Sequence, residues 1–177
     1  MILKPTDIAG AFLIEVEPLG DERGFFARTF CLETLRKAGV NTGPVRQTSI
    51  SVNPRRGTLR GMHWQVEPFG ENKLVRASSG TIYDVIVDIR PTSSSFRRWF
   101  GAELSAVRHN GLFIPRGCAH GFLTQSDDVT VEYAMDADFA PGQGRGARWN
   151  DPAFGIVWPF EPVLIGDRDR SYPDFAP

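Results

Sequence analysis

Between two turn-forming stretches, Asn53-Pro54-Arg55-Arg56 and Glu67-Pro68-Phe69-Gly70, lies Gly57-Thr58-Leu59-Arg60-Gly61-Met62-His63-Trp64-Gln65, which carries a guanidinium and an imidazole. A run with Thr, Leu, Met and Trp bounded by such turns reads as a β-strand. The chain has only 3 histidines in 177 residues. One placed on a strand is either hydrogen-bonded into the structure or free to move protons. Lys73, Asp84, His120 and Tyr133 fall on or beside other strand-like runs. Histidine as base and tyrosine as acid on opposite faces of a bound molecule would suit removal and return of a carbon-bound proton. A lysine beside the developing oxyanion would stabilise it.

Other chemistries lack their usual spacing. No Gly-rich phosphate loop of the P-loop or dinucleotide type occurs, and no GxSxG elbow. His63 is followed two places later by Gln65 rather than a second histidine, so the first half of a barrel metal site is missing. His120, after Pro115 and Gly117, resembles the second metal-binding motif of cupins but alone supplies too few ligands. The expectation is no catalytic metal and no cofactor. A formal net charge of −1 gives no electrostatic case for nucleic acid or an anionic membrane. Cys31 and Cys118 form no CxxC pair, and no N-terminal basic start leads into an apolar run, so cytoplasmic residence is the default. No apolar stretch approaches the roughly 20 residues that span a bilayer, and no membrane role is expected.

These groups need elements to hold them. At 177 residues, 41% apolar and 23% charged, the chain reads as one globular domain over 1–177. The 13 prolines and 18 glycines are scattered, marking short connections between many strands. Ile8 to Val16 reads as an early strand, Val45 to Val52 as one with Gln47, Ser49 and Ser51 on a polar face. Across the turn Ser78-Ser79-Gly80, Asn72–Ala77 and Thr81–Ile89 form two more. In the second, Tyr83, Val85 and Val87 share one face and Ile82, Asp84 and Ile86 the other, so Asp84 needs a cation or a cavity, with Lys73 the expected partner. Cys31 to Gly39 has helical spacing and a glycine stop, and is predicted to be the longest helix. Trp99–Leu104, Leu112–Leu123 and Val129–Met135 continue the strand pattern, and Tyr133 falls on the face of Val129 and Val131. The tail from Trp149 to Pro159 reads as mostly turns and short extended pieces, and the chain ends in the charged Asp167-Arg168-Asp169-Arg170. Arg23-Gly24 ahead of Phe25 and Phe26 could serve a phosphate and a stacked base, or those rings and Phe30 could be core. Many short strands with little helix predict an all-β antiparallel sandwich or barrel with an interior able to hold a ligand.

Taken in order, Asp21-Glu22-Arg23-Gly24-Phe25-Phe26, Gln47 with Ser51, Gly57 to His63, Asn72 to Arg76, Asp84 to Arg90, Ile114 to Phe122, Tyr133 and Trp149-Asn150-Asp151-Pro152 resemble the dTDP-4-dehydrorhamnose 3,5-epimerase family of nucleotide-sugar epimerases. The resemblance implies a cupin-type jelly-roll homodimer with a few short helices, without metal or cofactor, acting on a nucleoside-diphospho-4-keto-6-deoxy sugar. It implies inversion at C3 and C5, or at C3 only; a 3-epimerase or ketoisomerase on a GDP- or CDP-linked sugar, or a non-catalytic sugar-binding cupin, are the other readings. By position, His63 would be the base, Asp169 its orienting carboxylate, Tyr133 the acid and Lys73 the oxyanion group. Asp84 and His120 would hold the polar network, Arg23 and Arg60 the diphosphate, and Phe26 and Gln47 the nucleoside, with some N-terminal contacts from the partner subunit. Three positions depart from the family pattern: Arg28 for a glutamate and Ser49 for an asparagine near the nucleoside, and Phe139 for a tyrosine near the base. Trp64 replaces a common tyrosine. Arg60 and His63 are an odd number of residues apart, so if both reach one ligand, Gly61 must sit in a bulge or bend.

Overall fold

The computed structural model describes residues 1–176. Its strands are β1 (Ile2–Pro5), β2 (Phe12–Glu15), β3 (Leu19–Asp21), β4 (Gly24–Phe26), β5 (Gln47–Asn53), β6 (Thr58–Gln65), β7 (Lys73–Ser79) and β8 (Thr81–Asp88). They continue as β9 (Trp99–Ser105), β10 (Gly111–Ile114), β11 (Cys118–Thr124), β12 (Val129–Met135), β13 (Gly144–Gly146) and β14 (Leu164–Ile165). Helices are α1 (Leu32–Lys37) and α2 (Asp167–Ser171). One sheet has the order β1-β2-β10-β7-β12-β5 and the other β13-β6-β11-β8-β9, with β14 lying parallel along β6 and β3–β4 a separate hairpin. The two sheets face each other as an antiparallel jelly roll.

The alternation along β8 explains the layering. Ile82 and Ile86 point between the sheets and pack with Val75, Leu112, Phe122 and Val131. Val85 and Val87 point the other way, under a cover of Ala147, Phe154, Trp158 and Phe175 from the C-terminal segment. A third cluster closes the outside of the first sheet, where Leu35 of α1 meets Ile14, Leu74 and Phe113.

Helix α1 begins with Glu33 in its first turn and ends with Arg36 and Lys37, charges that suit the helix dipole. Gly39 stops it in a left-handed conformation (φ +82), where the Gly39 and Val40 amides cap the Arg36 and Leu35 carbonyls. Burying Leu35 completely contributes about 2 kcal/mol.

Two details go beyond the sequence reading. From Trp149 to Pro159 the tail is turns and irregular backbone, as expected, but Gly166 then opens the five-residue α2 in its charged end. The phenylalanines after Arg23 divide: Phe30 packs into the third cluster, while Phe25 and Phe26 stand exposed on the hairpin.

Candidate active site

The site is built around a defect in β6. His63 pairs with His120 of β11 and Arg60 with Phe122, so three steps along β6 match two along β11. The bulge falls at Gly61, whose φ is +124 and whose peptide to Met62 is cis. A Cβ there would lie 2.5 Å from the Gly121 Cα and 2.7 Å from the His120 carbonyl oxygen, so the two backbones meet only over glycine. The extra residue changes the side-chain parity, and Arg60 and His63 both line one groove of about 550 Å³.

Helix α2 supplies the other half. Asp169 accepts from the Gly61 amide at 3.0 Å with one oxygen and meets His63 Nε2 at 2.6 Å with the other. Burial alone would raise this carboxyl, but the hydrogen bonds from His63 and the Gly61 amide outweigh it and hold it below the ordinary aspartate value. Tyr172, the residue after α2, stands edge-on to the His63 ring at 6.1 Å and fills the space where a side chain at Gly146 would sit.

Tyr133, on β12 of the facing sheet, lines the same groove. Burial pushes its hydroxyl well above the usual tyrosine range and the nearby Asp84 adds to this, while Arg60 opposes it. The phenol therefore keeps its proton throughout the neutral range. Its ring stands edge-on to His120 at 5.9 Å. His120 Nε2 in turn meets Asp84 Oδ1 at 2.7 Å; Asp84 is fully buried and its second oxygen has no hydrogen-bond partner in the structure. Desolvation raises the Asp84 carboxyl, against the opposing charges of His120 and Lys73.

Arg60 is oriented from behind. Its Nε donates to Asn53 Oδ1 at 2.8 Å, and Asn53, completely buried, is tied down by donating to the Ser51 and Val129 carbonyls. Lys73 lines an adjoining groove with His63, Trp64, Glu71 and Phe139. Its direct partner is Glu71 at 3.0 Å. The expected Lys73–Asp84 pair is thus corrected: His120 takes Asp84, and Lys73 acts on it only through its charge.

Of the residues singled out in the sequence, His63, Arg60, Tyr133, Asp169 and His120 meet in one groove, Asp84 lies directly beneath, and Lys73 and Phe139 border it. Ser49 lines a further groove that adjoins the first at Ile50 and Tyr133. Gln47 sits at the start of β5 against Met135. Arg23, Phe26 and Arg28 lie on or just after the exposed hairpin and line none of these grooves; Arg23 is paired with Asp21 at 2.5 Å. Asn53 and Glu71 escaped the sequence reading. Glu71 had a signal, since a residue two places from Lys73 shares its side of an extended chain. Asn53 had none, because its partner comes from the other sheet. Among the described residues no three His, Cys, Asp or Glu side chains converge as a metal site.

A jelly roll whose groove holds a histidine–carboxylate pair together with a partly buried, proton-bearing tyrosine has the fold and the groups of a cupin-type acid–base enzyme. The sequence model of the dTDP-4-dehydrorhamnose 3,5-epimerase family matches residues 5–177. The dTDP-4-dehydrorhamnose 3,5-epimerase of Sinorhizobium fredii is 38% identical over 99% of this chain and 90% of its own length. The dTDP-4-dehydro-6-deoxyglucose 3-epimerase of Streptomyces bikiniensis is 34% identical over 98% of this chain and 89% of its own. The crystal structure of the Bacillus anthracis 3,5-epimerase with TDP and pyrophosphate bound superposes with a TM-score of 0.92 at 36% identity, covering 98% of this chain and 99% of that one. The chain belongs to the dTDP-4-dehydrorhamnose 3,5-epimerase family.

Proposed function

We propose that this protein inverts C3 and C5 of a dTDP-4-keto-6-deoxy sugar through an enolate, with His63 as base and Tyr133 as acid. The observation that carries this reading is the sharing of one groove by the His63–Asp169 pair and the proton-bearing Tyr133 hydroxyl. A ketone at C4 acidifies the hydrogens on C3 and C5, so each centre can lose a proton to one face and regain one from the other. With Nε2 engaged by Asp169, Nδ1 is the ring nitrogen left to take the proton, and the ionised Asp169 balances the resulting imidazolium. Lys73 faces the negative charge that grows on the C4 oxygen. Tyr133 then delivers its proton to the opposite face. His120 and Asp84 fix the edge of the Tyr133 ring.

Arg60, held by Asn53, is suited to the diphosphate, and a guanidinium offers several donors to phosphate oxygens. Arg23, Phe26, Arg28, Gln47 and Ser49 are assigned to the nucleotide, and Phe139 to the surroundings of the base. Because the hairpin bearing Arg23 and Phe26 stands away from its own groove, it reaches the site of a second copy in a homodimer. Exposed apolar side chains support this, namely Leu19, Phe25 and Phe26 on the hairpin and Ile50 and Val52 on the edge strand β5. The whole chain acts as one catalytic unit, and its unpaired Cys31 and Cys118 suit a cytoplasmic enzyme. No helix among the described residues is long and apolar enough to cross a membrane.

The test is turnover of a dTDP-4-keto-6-deoxy sugar in deuterated water. Label should enter at C3 and C5. Label at C3 alone selects the 3-epimerase reading, for which the S. bikiniensis relative is the precedent, and no label at either carbon refutes the function.

A further inference from the structure

Glu71 lies just ahead of β7, with its side chain 8% exposed beside Lys73 at 12%. Its two oxygens face two donors: Lys73 Nζ at 3.0 Å and Gln65 Nε2 at 2.5 Å. The orientation of the Gln65 amide is itself fixed, because its oxygen accepts from the Ala140 amide at 2.9 Å and its nitrogen also donates to the Phe69 carbonyl at 3.2 Å. Position 71 must therefore present an acceptor in both directions. A carboxylate does this and a carboxamide cannot.

We propose that Glu71 is the positioning residue of Lys73. It clamps the ammonium in the groove that adjoins the His63 site and, through Gln65, couples that clamp to the segment that carries Phe139. Lysine is a compact charge on a flexible stem, and an ammonium that has to find its place during the reaction gives less stabilisation than one already aimed. Glu71 fixes that aim through the ion pair, with no part in the proton transfers themselves. This inference rests on the reading of Lys73 as the oxyanion group.

The experiment is a double-mutant cycle of Glu71→Gln and Lys73→Ala, with kcat and KM measured on a dTDP-4-keto-6-deoxy sugar and folding checked by circular dichroism. In the native background Glu71→Gln should lower kcat about ten- to a hundred-fold, the range of a charge-assisted hydrogen bond, with KM changed less than kcat. In the Lys73→Ala background the same substitution should change kcat by less than about two-fold, because its route of action is gone. Equal losses in both backgrounds, or no loss in the native one, would overturn the proposal. If Glu71→Gln does not fold, Glu71→Asp, which keeps the charge but shortens the reach, is run through the same cycle with the same criterion. A Lys73→Ala enzyme with unchanged kcat would instead remove the oxyanion role itself, and that outcome is visible in the single mutant alone.

Discussion

Among the described residues are two histidine–carboxylate pairs of nearly equal length, His63–Asp169 at 2.6 Å and His120–Asp84 at 2.7 Å, in opposite surroundings. His63 has 40% of its side chain exposed and its carboxylate comes from a short helix in the tail; His120 and Asp84 are both buried on adjacent strands of one sheet. The first pair is open to the groove, so in the proposed mechanism its proton can leave. Of the second, His120 touches the same groove but is only 5% exposed and Asp84 is fully enclosed, so in that mechanism the two groups serve as a fixed polar strut behind Tyr133. In the proposed mechanism burial, rather than the identity of the pair, separates a proton carrier from a support, and the two carboxyls shift in opposite directions.

The comparison can be broken most sharply at His63. Replacing it by alanine should cut turnover about 10²- to 10⁴-fold, as expected for loss of a general base, with circular dichroism unchanged; a variant retaining native turnover would end the distinction between the pairs. Asp84→Ala should act on stability instead. It should lose about 2 kcal/mol in chemical denaturation by leaving His120 buried without its partner. Asp169→Asn keeps the shape but not the charge, and should lower kcat about ten-fold or more by withdrawing a charge-assisted hydrogen bond. Its thermal midpoint should fall by only a few degrees.

The acid response should differ in sign. The Asp169 carboxyl is lowered in the folded state, so the stability it contributes is complete above the ordinary aspartate value and is lost as pH falls below it. Asp84 is raised, so its contribution is complete below that value and is lost as pH rises. Denaturation curves from pH 3 to 7 should therefore show Asp169→Asn closing on the native protein as pH falls, and Asp84→Asn gaining on it as pH rises. Parallel curves for the two variants would contradict the opposite shifts. The smallest expected effect is that of chelators on turnover, since removal of a carbon-bound proton by His63 and its return by Tyr133 call for no metal; dependence on added metal would undo that assignment.

Strand parity made much of this legible. The inward and outward faces of β8, the placing of Tyr133 with Val129 and Val131, and the need for a bend at Gly61 all follow from side chains alternating along an extended chain. Parity says nothing about which strands become neighbours. Parity and charge alone therefore point Asp84 to Lys73, whereas the pairing of β11 with β8 brings it His120. Helix α2 was invisible for a related reason: five residues are too few for a periodic signal, and the segment is held by what Asp169 binds rather than by helix propensity. Along β5 the alternation does not separate groove from surface: Ser51 lines the groove, but so do Ile50 and Val52, which are also exposed on this edge strand.

Asp169 and His63 are separated by 106 positions in the chain, and the contact that joins them also stitches the tail to the Gly61 bulge. The sheets could therefore persist while residues 167–171 detach, leaving an intact barrel with an imidazole that has lost its counter-charge. Amide exchange at Gly61, whose hydrogen bond goes to Asp169, would report that opening directly, so one backbone proton can serve as a gauge of how often the enzyme is armed.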